Sequence, residues 1–313
     1  AVAAKTMRDS GYACEASQVL ITNGGKHAVY NCFEALLNPG DEVLLPTPYW
    51  TTYPESIALA GGVPVEVPTD ETTGYRASIE QLEAARTPRT TMLVFVSPSN
   101  PTGAVYSPAE VEAIGTWAAD NGLWVVTDEI YEHLLADGQT HHSLAALAPD
   151  LADRLFVVNG FAKGWAMTGW RLGYLAGPAE VVKAAIALQS QSTSNVCSFA
   201  QRGALAALQA PLDCVHEMAR SFSKRRSHLT AGLQQLSDVV VVPPNGAFYA
   251  FPDISAFGLD SMTFCQQLLD QQGLAVVPGV AFGDDRCIRL SCAVTTATID
   301  DGLSRLESFL QSL

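Results

Sequence analysis

The chain has 313 residues, 48% of them hydrophobic and 16% charged, enough apolar material for one large or two medium cores, which excludes a disordered or fibrous chain. Its 18 basic against 32 acidic side chains leave a formal charge of −14; that field repels phosphate backbones and anionic lipid, so neither nucleic acid nor membrane is expected as a partner. Seven cysteines, odd in number and without a Cys-x-x-Cys pair, read as reduced, mostly buried thiols of a cytoplasmic protein.

The opening Ala1-Val2-Ala3-Ala4-Lys5 reads as the middle of a helix and lacks the regions of a signal peptide, so a natural start upstream is expected. No apolar run reaches the ~18 to 20 residues a membrane-spanning helix needs. Strands are predicted at 19–22, 43–45, 63–67, 92–96, 123–127, 155–158 and 172–175. Near-continuous apolar runs separated by helix-length segments suit strands covered on both faces, with parallel pairing the default. A helix over 26–37 puts Val29, Phe33, Leu36 and Leu37 on one face, follows Gly24-Gly25 and stops at Asn38-Pro39-Gly40.

Pro178 and Pro211 fall where first helical turns should begin. From Pro211 an amphipathic pattern through Val215, Met218, Phe222, Leu229, Leu233 and Leu236 leads out of the sheet region. Strands at 239–242, 248–251, 274–277 and 288–290, with helices at 262–270 and from 298, make a smaller α+β unit. The fold class is therefore α/β: a mostly parallel seven-stranded sheet between helices over 1–210, then a linking helix and a small domain over 211–313.

Ligands of such sheets gather beyond the carboxyl ends of the strands. Four ends carry unusual residues: Asn23-Gly24-Gly25-Lys26, Ser99-Asn100-Pro101-Thr102-Gly103, Asp128-Glu129-Ile130-Tyr131, and Lys163 followed by Met167-Thr168-Gly169-Trp170-Arg171. Singly, each has a plainer reading. Gly-Gly before a helix relieves crowding, Asn-Pro-Thr-Gly makes a turn, Asp128 caps a helix, and Lys163 is a surface cation. Together they match one cofactor. Pyridoxal phosphate needs a lysine amine for a Schiff base, a carboxylate at its ring nitrogen, donors to its phenolate oxygen, and a phosphate cup of amides plus an arginine.

The order and spacing of the motifs at 22–26, 46–50, 97–103, 128–131, 163–173 and 288–291 make the chain resemble the class I aminotransferases of the aspartate aminotransferase fold, fold type I of the pyridoxal phosphate enzymes. Within them it is most similar to the bacterial aspartate aminotransferase subgroup. The resemblance implies that Lys163 binds the cofactor and then moves the proton, that Asp128 faces the ring nitrogen, and that Tyr131 and Asn100 bond the phenolate oxygen. It further implies that Trp50 stacks on the ring, that Gly24, Gly25 and Arg171 receive the phosphate, and that Arg289 takes the substrate α-carboxylate as a bidentate fork. Lys26 meets the distal carboxylate of a dicarboxylic substrate in this reading; one more phosphate contact is the alternative. The implied reaction passes an amino group from aspartate to 2-oxoglutarate by way of pyridoxamine phosphate. Amino acids and 2-oxo acids are then the substrates, and the stretch 189–195 resembles a family loop at the boundary of a homodimer with shared active sites.

Departures are visible. Gly160 and Ala162 stand where relatives carry hydroxyls, and no residue is assignable to the N-terminal closing segment of relatives or to the tyrosine that reaches a partner's phosphate. Weak turnover of the 313-residue chain by itself is expected from that. Prephenate, aromatic or alanine specificity and C–S lyase chemistry share the same cofactor machinery. The alternative of another class, an aminotransferase-like sensor domain of a transcription regulator, is opposed by the acidic charge. The histidines 27, 133, 141, 142, 216 and 228 show no metal spacing, with His141 and His142 expected to be solvated and His133 to lie on a helix face. No Gly-x-Ser-x-Gly elbow, Walker motif or dinucleotide glycine pattern occurs.

Overall fold

A computed structural model describes residues 1–313. In chain order its first elements are α1 (Val2–Ser10), β1 (Val19–Thr22), α2 (Gly25–Leu36), β2 (Glu42–Pro46), α3 (Thr52–Leu59), β3 (Val63–Val67), α4 (Ile79–Ala85), β4 (Thr90–Val96), α5 (Pro108–Asp120) and β5 (Trp124–Asp128). There follow α6 (Leu144–Leu147), β6 (Leu155–Gly160), β7 (Gly173–Ala176), α7 (Ala179–Ser192), α8 (Ser198–Gln209), α9 (Asp213–Leu233), β8 (Tyr249–Ala250), α10 (Ser261–Gln272), β9 (Val277–Pro278), β10 (Ile288–Ser291) and α11 (Thr296–Leu310).

The large sheet has seven strands in the order β1-β7-β6-β5-β4-β2-β3. Pairs among β2 to β6 are parallel, while β7 runs antiparallel to both β6 and β1. No α-helix separates β6 from β7, and without a crossover the chain can only fold straight back, so this neighbour must be antiparallel. The reversal has a chemical result. The loop 161–172 starts and ends at the same sheet edge, where Gly160, Gly173 and Thr22 are in register.

Strand side chains alternate between two cores, as the period of two demands. Val43, Leu45, Met92, Val94, Val126, Phe156 and Val158 join Val29, Cys32 and Phe33 of α2 on one face. Leu44, Leu93, Phe95, Val125 and Leu155 join Val111 and Ile114 of α5 on the other. Each such buried side chain contributes roughly 1.5–3 kcal/mol of hydrophobic stabilisation. Gly173 is required by close approach: a Cβ there would stand 2.4 Å from the carbonyl carbon of Gly24.

The second sheet has the order β8-β10-β9 and is antiparallel. Leu229 and Leu233 of α9, Phe264 of α10 and Phe309 of α11 close its core with Ile288 and Leu290. Here the sequence expectations are too long. Strand 239–242 is reduced to a single bridge from Val240 to Asp253, 248–251 to two residues, and 274–277 to Val277–Pro278. Pro178 is the cap before α7, and Pro211 lies two residues ahead of α9, just outside the expected first turns. Of the cysteines, Cys32, Cys265, Cys287 and Cys292 are buried, whereas Cys197 and Cys214 are exposed; all are free. No helix is long and apolar enough to cross a membrane.

Candidate active site

Beyond the carboxyl ends of the large sheet lies a cavity of about 350 Å³ lined by Gly25, Lys26, Trp50, Asn100, Asp128, Tyr131, Lys163, Arg171 and Arg289, together with Tyr53, Thr168 and Tyr249. Nine of the ten predicted site residues thus meet in one space. The tenth, Gly24, sits beneath Arg171: with φ +84°, it leaves room that a Cβ would close at 2.7 Å from Nη2 of Arg171. Four of the lining residues are basic and one is acidic.

Asp128 closes β5 and is buried. Its Oδ2 accepts from the Tyr53 hydroxyl at 2.9 Å and its Oδ1 from the Ile130 amide at 3.0 Å. Burial pushes its carboxyl up to about 6 despite these donors. Lys163 follows β6; burial and the neighbouring Arg289 and Arg171 cations lower its ammonium below the usual lysine range, with Asp128 opposing them. Its Nζ lies 5.2 Å from the Phe248 ring centre and 5.8 Å from that of Tyr131.

Arg289 on β10 reaches across from the small sheet. Its Nη1 donates to Oδ1 of Asn100 at 2.9 Å, which leaves the Asn100 amide hydrogens free. The guanidinium carbon lies 4.5 Å from the Tyr249 ring centre and 4.9 Å from that of Phe282, and its buried Nε has no partner. Lys26, in the first turn of α2, donates to the Thr52 hydroxyl and lies 4.9 Å over the Trp50 ring, which in turn meets Tyr53 edge-on. Gly24 and Gly25 begin α2, where unpaired amides favour an anion.

Sequence reasoning missed Tyr53 as a site residue, although it lies three residues past Trp50 at the start of a helix. Tyr249, within the strand expected at 248–251 of the small domain, lines the cavity as well. Two histidine expectations are corrected. His141 is not solvated: its side chain is buried, with Nε2 3.5 Å from Oε2 of Glu129. His133 lies on a turn rather than a helix, its ring edge-on to Trp165 at 5.1 Å. The stretch 189–195 is also not simply a loop, since α7 extends through Ser192, and the buried Gln189 accepts from Asn31 and donates to the Ile21 carbonyl.

Behind Asp128 and the Lys163 loop, α1 enters a second charged cluster. Lys5 Nζ donates to Oε1 of Glu132 at 2.5 Å and lies 3.2 Å from Oδ2 of Asp9. Ser10 and Ser143 donate to the two oxygens of Glu129. Glu129, Glu132 and His141 approach one another as metal ligands do, but the buried ammonium of Lys5 already supplies the cation.

Residues 1–306 match the family model for aminotransferase class I and II. The chain is 54% identical to an aspartate aminotransferase of Streptomyces avermitilis, over 99% of this chain and 78% of that protein. It is 41% identical to an aspartate/prephenate aminotransferase of Cereibacter sphaeroides, over 100% and 81%. A solved structure of aspartate aminotransferase from Thermus thermophilus with maleate superimposes with a TM-score of 0.93 at 41% identity, covering 98% of this chain and 80% of that one.

Proposed function

The chain belongs to the class I and II aminotransferases, and from that premise we propose that its cation-rich cavity carries the pyridoxal phosphate-dependent transfer of an amino group between aspartate and 2-oxoglutarate. The observation that carries the reading is the charge pattern: Lys26, Lys163, Arg171 and Arg289 surround one buried carboxylate, Asp128. A phosphate and two substrate carboxylates answer those cations. The residues present fit the cofactor, since a lysine with a depressed pKa, a buried acid and glycine amides at a helix start are its requirements.

When bound, pyridoxal phosphate supplies an aldehyde for amines and a ring that withdraws electrons from the substrate α-carbon. Lys163 would be the amine that holds it and the base that carries the α-proton. Asp128, given a ring N–H to accept, keeps its charge in spite of burial. Tyr131 and Asn100 would donate to the phenolate oxygen, Trp50 would cover the ring, and Gly24, Gly25 and Arg171 would take the phosphate. Arg289, packed against two rings, would present its edge to the α-carboxylate, and Lys26 would meet the distal carboxylate.

Lys163→Ala should abolish turnover and the visible absorbance of the loaded protein; an unchanged visible spectrum would sink the assignment. Prephenate is the second reading, favoured by the Cereibacter relative's name. Half-reaction titrations with aspartate, glutamate, phenylalanine and prephenate would rank them, and saturation by phenylalanine below aspartate would overturn the acidic donor. We further propose a cytoplasmic homodimer. An apolar hollow of about 490 Å³ lined by Val2, Phe161 and Leu205, beside the exposed Phe199, supports it. Thr193 lines a neighbouring hollow that shares Lys26 and Arg171 with the cavity, which supports a shared site. Sedimentation at micromolar concentration would detect a monomer if this is wrong.

A further inference from the structure

Tyr249 is 6% exposed and starts β8, where it pairs with Ser291 of β10. Two different parts of its side chain touch two different parts of the site. Its hydroxyl oxygen lies 3.0 Å from that of Tyr131, and its ring lies 4.5 Å from the Arg289 guanidinium carbon. Both hydroxyls stay protonated, because burial holds each above the usual tyrosine range. A pair of hydroxyls has two protons, and only one can occupy the bond between them. Neither has another side-chain or backbone partner, so the direction of that bond decides which tyrosine keeps a free O–H.

We propose that Tyr249 is a positioning residue with two separable roles: its hydroxyl donates to Tyr131 and so turns the Tyr131 proton into the cavity, while its ring holds Arg289 flat. The inference rests on the proposed pyridoxal phosphate function. A Tyr131 oxygen that accepts one hydrogen bond is a better donor of its own proton, since hydrogen bonds in a chain polarise one another. The bound cofactor's phenolate oxygen is the acceptor chemistry that this proton would meet. The rings of Tyr249 and Phe282 both pack within about 5 Å of the guanidinium carbon and restrict its movement, which lowers the entropy lost when a carboxylate is gripped.

The test uses protein loaded with pyridoxal 5′-phosphate and reads the pH midpoint of the visible absorbance band. Tyr249→Phe keeps the ring and removes only the hydroxyl. It should raise the midpoint by about 0.5 pH unit and leave the KM for aspartate within about twofold. Tyr249→Leu should raise the midpoint equally and increase that KM about tenfold. In a Tyr131→Phe background, Tyr249→Phe should move the midpoint no further. A Tyr249→Phe titration superimposed on the unsubstituted protein, or a shift that survives in the Tyr131→Phe background, overturns the hydroxyl role. An unchanged KM in Tyr249→Leu overturns the ring role. If the unsubstituted protein develops no pH-dependent visible band at all, the function reading falls and takes this inference with it; a normal band with no Tyr249 effect removes this inference alone.

Discussion

Two regions of this molecule bury charge, and they do so in opposite ways. In the α1 cluster the charges are matched: burial opposes the Lys5 charge, but Glu132 and Asp9 outweigh it and hold the ammonium protonated. Glu129 is likewise held below the usual carboxylate range against burial by His141, Ser10 and Ser143. In the cavity a few residues away, four cations face one carboxylate, and the single acid is pushed upward. A matched cluster is finished by folding, whereas an unmatched one is finished by a ligand. The difference separates the part that fixes α1 and the Asp128 and Lys163 loops from the part that binds.

The sharpest way to break the contrast is to unbalance the matched side. Lys5→Met leaves Glu132 buried without its cation and should cost about 3–5 kcal/mol of unfolding free energy; denaturant titration of the loaded protein would measure it. A loss of under about 1 kcal/mol would mean that the cluster tolerates unpaired charge as the cavity does. On the unmatched side, Arg289→Lys keeps the charge but removes the fork, and should reduce kcat/KM for aspartate about a hundredfold at little cost in stability. An equal loss for a substrate without an α-carboxylate would place Arg289 elsewhere in the reaction.

Asp128 gives the smallest and most informative effect. Its folded value of about 6 lies above the ordinary 3.8, so the folded chain binds this proton more tightly than the unfolded one. The associated stability is complete below 3.8 and is lost as pH rises through about 6. Asp128→Asn should therefore stabilise the cofactor-free protein above pH ~6 by on the order of 2–3 kcal/mol, while it weakens cofactor function. Melting temperatures of the two proteins compared at pH ~5 and ~8 would check it; a variant less stable at the higher pH would show that the carboxylate is matched after all.

Much of this was legible beforehand because strands and motif residues are local features. The apolar runs gave all seven strands of the large sheet to within two residues, and the glycine, asparagine, lysine and arginine motifs fell at their ends. What was illegible depended on distant partners. His141 sits in a polar stretch that resembles a solvated loop, yet the fold buries its side chain against Glu129. Strand lengths in the small sheet were overestimated, since an apolar run marks burial in a core and not the backbone pairing that a partner strand must supply.

By itself the sequence determined which chemistry was available: one amine, one carboxylate, an arginine and a glycine-led helix, each at a strand end, because the alternation of strand and helix sets those ends in order. Only the tertiary structure decided the balance of charge. Lys5, Glu132, Asp128 and Arg289 are ordinary charged letters until folding brings the first two into contact and leaves the last two to share a cavity. Net electrostatic energy depends on distance and burial, and neither is a property of the chain read in one dimension.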